Sequence, residues 1–165
     1  MTRTETRFDN STAKSPLPAA GDMKVIVLPV SDVDRAKHFY QNLGWRLDGD
    51  LKPAPDFRVV QFTPPGSLAS IRFGTGVKDA APGVGVNLTL AVQDLDTTRM
   101  NLLGRGVDVS DIFHGRGGFT HHTGAADRAP GPDPQGRSYF SFASFSDPDG
   151  NNWILQEIKQ RLPRR

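Results

Sequence analysis

From Val25 onward, apolar residues alternate with other residues in short runs, and each run ends at a turn-forming residue. In VIVLPV, Ile26, Leu28 and Val30 fall on one side of an extended chain, and Val25, Val27 and Pro29 fall on the other. The period then lengthens. Ala36, Phe39, Tyr40 and Leu43 recur at helical spacing, so a helix follows the strand and buries that stripe against it. Ser31 or Asp32 can accept hydrogen bonds from the first free amides of this helix, and Asp34 adds negative charge to its first turn. Gly44 offers the left-handed residue that ends it. Three strand-like runs follow, WRLDGDL, FRVVQFT and SLASIRFG, separated by Pro-Ala-Pro and Pro-Pro-Gly turns.

The scheme then returns. NLTLAVQDLD, from Asn87, repeats the pattern of VIVLPVSDVD, from Val25. Val30 and Val92, Asp32 and Asp94, Asp34 and Asp96, and Gly44 and Gly106 all stand 62 residues apart. Punctuation agrees together with apolar character, which points to a duplicated unit of strand, helix and three strands. In the second copy the helix is expected over about 94–103, followed by VDVSDIF, YFSFASF and NWILQEI. The expected division is a flexible leader over 1–22, with Met23 as a candidate internal start, and modules over 23–80 and 81–160. The second module carries a long loop at 114–137, and a basic tail occupies 161–165.

Length and composition narrow the function classes. A chain of 165 residues with 36% hydrophobic content suits one core or two small packed repeats. A formal charge of +2 is too small to imply a nucleic-acid partner. The basic ending KQRLPRR reads as a solvated tail, because no aromatic or basic stripe continues it. The absence of cysteine excludes disulfides, zinc–thiolate sites and thiol nucleophiles, and favours the cytoplasm. No apolar run approaches the roughly 20 residues of a membrane helix, so no membrane partner is expected.

Two tandem βαβββ modules, an Asp-apolar-Asp start to each helix, FYQNLGW at 39–45 and SDPDGN at 146–151 together resemble the vicinal oxygen chelate superfamily. Its members include glyoxalase I, extradiol dioxygenases, fosfomycin-resistance enzymes and bleomycin-binding proteins. The resemblance implies an α+β fold in which two βαβββ modules form a curled mixed sheet around a cavity, and it implies a homodimer. It also implies places for metal ligands. Those positions fall on Val25, Arg72, Asn87 and Ile154 in this sequence. Aliphatic and guanidinium side chains cannot ligate a divalent cation, so no metal or other cofactor is expected.

What stands there instead has its own chemistry. Arg72 offers a planar charged fork suited to a carboxylate, phosphate or enolate oxygen. Asn87, Thr89 and Gln156 share the inward parity of their strands and supply neutral donors and acceptors, while Val25, Val27 and Ile154 supply an apolar wall. His121 and His122, in the long loop with His114 nearby, are candidates for general acid or base work near neutral pH. His38 reads as a helix-surface residue, and Tyr40 and Trp45 as packing where helix meets second strand. Trp153 is expected on the outer face of the last strand or at a subunit contact, and Glu157 facing away from the cavity. Asp147 to Gly150 read as a turn that sets strand geometry.

The leading expectation is a protein that binds a small anionic or polar organic ligand, with metal-independent lyase- or isomerase-type proton transfer. Arg72, His121 and His122 would carry that chemistry. The alternative is a non-catalytic module that sequesters an antibiotic or metabolite. Metal-dependent glyoxalase or dioxygenase activity is a third reading, implied by the resemblance alone.

Overall fold

The computed structural model describes residues 25–77, 85–115, 127–161 and 163. The leader, Met23, His121 and His122 lie outside the described residues. Along the chain run β1 (Val25–Val27), α1 (Val33–Asn42), β2 (Arg46–Ala54), β3 (Phe57–Thr63) and β4 (Ser70–Thr75). The second module follows with β5 (Asn87–Val92), α2 (Leu95–Gly104), β6 (Phe113–Gly115), β7 (Arg128–Pro130), β8 (Ser141–Ser146) and β9 (Asn152–Glu157). Among the described residues no helix is long and apolar enough to cross a membrane.

Both helices begin and end where the repeat places them. Asp32 and Asp94 occupy extended N-cap positions, and their carboxylates accept from the amides of Arg35 and Thr97 at 3.0 and 2.8 Å. Gly44 and Gly106 lie just past the helix ends with φ of 79° and 78°, a conformation that costs glycine little.

The strands form two separate sheets with one topology. The first runs in the order β1-β4-β3-β2 and the second β5-β9-β8-β6-β7. In each, the opening strand lies parallel to the closing strand of its own module. The extra strand β7 pairs antiparallel with β6 at the sheet edge. The segment 114–137, expected as loop, therefore contains the end of β6 and all of β7.

One face of each sheet enters a single shared core. Val60, Phe62, Ile71 and Phe73 from the first sheet join Leu88, Phe145, Trp153 and Leu155 from the second, with α1 between them. Tyr40 of α1 packs against Phe62 and Phe73 on one side and Trp153 on the other, with ring centroids 6.1, 5.7 and 6.3 Å away. Phe39 reaches Phe145 at 6.4 Å. Trp153 is therefore interior, 3% exposed, and its Nε1 donates to Tyr40 Oη at 3.1 Å. This corrects the expectation of an outer-face or subunit position. Alternation groups Trp153 with Leu155, but it leaves open which face of the strand is covered.

Candidate functional site

Because the inner faces of both sheets look toward one core, their other faces look away from it and from each other. The register fixes what those outward faces carry, since residues directly paired across strands share a face. On the first sheet, Val27, Arg72, Gln61 and Gly49 lie in one row, with Val25 and Ser70 beside it. On the second, Asn87 and Asn152 form one row, followed by Thr89, Ile154 and Ser144, and then Ala91, Gln156, Phe142 and Phe113.

The outward face of the first sheet is a polar chain set in apolar surroundings. Arg72 donates to Gln61 Oε1 from Nε and Nη2 at 3.3 and 2.9 Å, and Gln61 Nε2 donates to Asp48 Oδ2 at 3.4 Å. Asp48 stands in a register irregularity between Leu47 and Gly49, an extra residue opposite β3. It also accepts from Thr63 Oγ1 and from Arg46 Nε, and Thr63 lies 2.7 Å from Ser70 Oγ. The Thr63 hydroxyl above all, with the Arg46 and Gln61 bonds, holds the Asp48 carboxyl below its ordinary range. Gln61 thus orients the Arg72 fork, and among the described residues no carboxylate pairs with that guanidinium directly.

The outward face of the second sheet is aromatic and apolar at its centre. Phe113 and Phe142 stack at 5.8 Å, and the Arg128 guanidinium lies 4.1 Å above the Phe113 ring. Phe142 and Ile154 are buried, yet neither belongs to the shared core. They form a separate apolar platform. Thr89 and Asn87 are exposed beside it, and Asn87 Oδ1 accepts from Asn152 Nδ2 at 3.2 Å. Gln156 donates its amide to the Tyr139 carbonyl at 3.1 Å, which leaves its oxygen as its remaining acceptor.

The nine residues singled out from sequence thus divide three ways. Val25, Val27 and Arg72 share the first outward face, Asn87, Thr89, Ile154 and Gln156 share the second, and His121 and His122 lie outside the described residues. Gln61, Asp48, Phe113 and Phe142 were missed. Their strands are legible, but the register that brings Gln61 beside Arg72, or Phe113 beside Phe142, is not. His114 lies on the other side of its strand, paired with the buried Ser141, and its Nδ1 is 2.8 Å from the Gly131 carbonyl. Glu157 also faces inward and accepts from the Leu95 amide at 3.0 Å, so it serves the start of α2.

A family model described as Glyoxalase/Bleomycin resistance protein/Dioxygenase superfamily matches residues 23–155. The chain belongs to this superfamily. A search of curated proteins finds no match. Among solved structures, the chain is 28% identical to TnmS3, an antibiotic binding protein from Streptomyces sp. CB03234, with a TM-score of 0.61. That likeness covers 86% of this chain and 99% of the other. A glyoxalase/bleomycin resistance protein from the same Streptomyces strain is 29% identical, covering 82% and 99% of the two chains at a TM-score of 0.58. A superfamily member from Sphaerobacter thermophilus DSM 20745 is 26% identical, covering 84% and 98% at 0.59.

Some superfamily members hold a metal. The four counterpart positions read Val25, Arg72, Asn87 and Ile154, with at most one neutral oxygen donor among them, so they do not fit a divalent cation. Among the described residues no group of three or more His, Asp or Glu side chains is arranged to hold one.

Proposed function

We propose that this superfamily member is a binding protein that sequesters a small organic molecule with a planar apolar body and an anionic or strongly polarised oxygen. The observation that carries the reading is the contrast between the two outward faces. One presents the oriented Arg72 fork beside Val25 and Val27, and the other carries the half-buried Phe113 backed by the buried Phe142 and Ile154. A guanidinium held by Gln61, with no described acid to neutralise it, complements a carboxylate or phenolate. Stacked aromatic rings complement a flat apolar body. The likeness to an antibiotic binding protein supports the same reading.

The site is completed by a second copy. Two faces that look away from a common core cannot enclose a ligand within one chain. A homodimer that sets the first face of one protomer against the second face of its partner would close a cavity at each of two symmetric places. The histidines that proton-transfer chemistry would use, His121 and His122, lie outside the described residues. His114 is turned inward, and His38 is exposed on α1.

The reading is tested by titrating the protein with planar aromatic carboxylates and phenolates, beginning with 1-hydroxy-2-naphthoate, by calorimetry, and then analysing the recovered ligand by mass spectrometry. The expected result is a saturable complex, at least about tenfold weaker in Arg72→Ala, with the ligand recovered unchanged. A chemically altered ligand, or equal affinity in wild type and Arg72→Ala, overturns it.

A further inference from the structure

A second concavity lies in the seam between the modules, away from both outward faces. It has a volume of about 410 Å³ and opens where the C-terminal ends of α1 and α2 meet. Its lining mixes apolar side chains, Leu43, Leu90, Leu102, Phe145 and Leu155, with polar ones, Thr98 and Asn101 from α2 and Arg105 just past its end. These three recur at helical spacing and so share one side of the helix. Met100 and Leu103, exposed on another side of the helix, leave α2 without the apolar stripe that α1 shows.

Arg105 is held in place by the seam itself. Its Nη1 donates to the Asn42 carbonyl at 3.1 Å, and Asn42 Nδ2 returns a bond to the Arg105 carbonyl at 2.7 Å. The guanidinium lies flat against Gly44, where a Cβ would come within 3.0 Å of Nη2. A residue with a side chain at position 44 would push it away. Among the described residues no Asp or Glu pairs with Arg105, and its Nε and Nη2 make no hydrogen bond there. Thr98 Oγ1 gives its proton to the Asp94 carbonyl at 2.7 Å, so toward the pocket it offers only lone pairs.

From this geometry we infer that the seam pocket is a second binding site, for a small molecule with an apolar body and one anionic head, of the medium-chain carboxylate class. The apolar side chains take the body and the free edge of the Arg105 guanidinium takes the head. Thr98, Asn101 and Arg105 stand on neither outward face, and of the lining residues only Ala91 belongs to an outward row.

The probe is decanoate, followed by the indole signal of Trp45, which lines the pocket, in ¹H–¹⁵N spectra. Titration is expected to shift that signal saturably. Arg105→Ala should weaken the binding at least about tenfold, the loss of one charge-assisted contact. Should Arg105→Ala disturb the seam, Asn101→Trp, at an exposed position, blocks the mouth without touching the core and should abolish the shift. Arg72→Ala should leave it unchanged, which separates this site from the outward faces. No saturable shift in the wild type, or an undiminished shift in Asn101→Trp, overturns the inference.

Discussion

Tyr40 uses both hydrogen-bonding roles of its hydroxyl across the module boundary, donating to Asp147 Oδ2 at 2.8 Å and accepting from Trp153 Nε1. Burial above all, with the nearby Asp147 charge, pushes its pKa far above the ordinary tyrosine value, so the proton stays on the phenol. Asp147 also takes bonds from the amides of Asp149 and Asn151 and from Asn151 Nδ2, which in turn donates to the Pro29 carbonyl. The Asp-Pro-Asp-Gly turn does more than set strand geometry: it fastens the second module to the start of α1. Tyr40→Phe should cost about 1–3 kcal/mol, because a buried indole N–H loses its acceptor and Asp147 loses a donor. A urea midpoint moved by less than about 0.5 kcal/mol equivalent would show the network to be incidental. Helical spacing makes the burial of Tyr40 legible, but the hydroxyl's partner lies 107 residues away, beyond the reach of any local pattern.

At the scale of elements, the caps are the most legible features, since an N-cap acid and a terminal glycine act within one turn of their own helix. VDVSDIF shows the limit. Val107 and Val109 are buried in alternation as the pattern requires, yet the ladder begins only at Phe113. The reason is Ser110, whose hydroxyl accepts from the Ser144 amide at 2.9 Å while its own amide donates to the Ser144 carbonyl. A side chain thus takes one place in a backbone ladder. Packing of α1 on its sheet depends on Asp50 of β2, which binds Arg58 of β3 through both oxygens at 2.9 and 2.8 Å and Lys37 of α1 at 2.8 Å. The Arg58 bonds above all hold the Asp50 carboxyl well below its ordinary value. A carboxyl depressed in the folded state stabilises above the unfolded pKa of about 4, and that stability is lost as pH falls further. Acid unfolding should therefore steepen below about pH 4, and Asp50→Asn should remove part of that dependence while lowering stability at neutral pH. Parallel pH profiles for the two proteins would rule the network out as a source.

At the scale of the whole molecule, the duplication is legible because both copies keep the same punctuation, whereas their arrangement is not. Alternation identifies two faces on every strand, but a chain with apolar residues on both faces does not reveal which one a helix covers and which one meets a partner. Val25 and Val27 look like one wall of a cavity with Ile154, and they do carry the parity expected of them. They stand on a different sheet from Ile154, turned away from it. The proposed dimer would reunite them, and it makes a prediction that no single-chain site can imitate. Arg72→Ala damages the first face, and Ile154→Asp, by placing a charge in the apolar platform, damages the second. Each homodimer then has two damaged sites. In a mixed dimer one site combines both damaged faces, while the other combines the intact first face of the Ile154→Asp protomer with the intact second face of the Arg72→Ala protomer. Co-refolding the two weakened variants should recover 1-hydroxy-2-naphthoate binding at one site per mixed dimer, with wild-type affinity. If each chain holds its own site, mixing recovers nothing, and calorimetry on the purified mixed dimer separates the two outcomes.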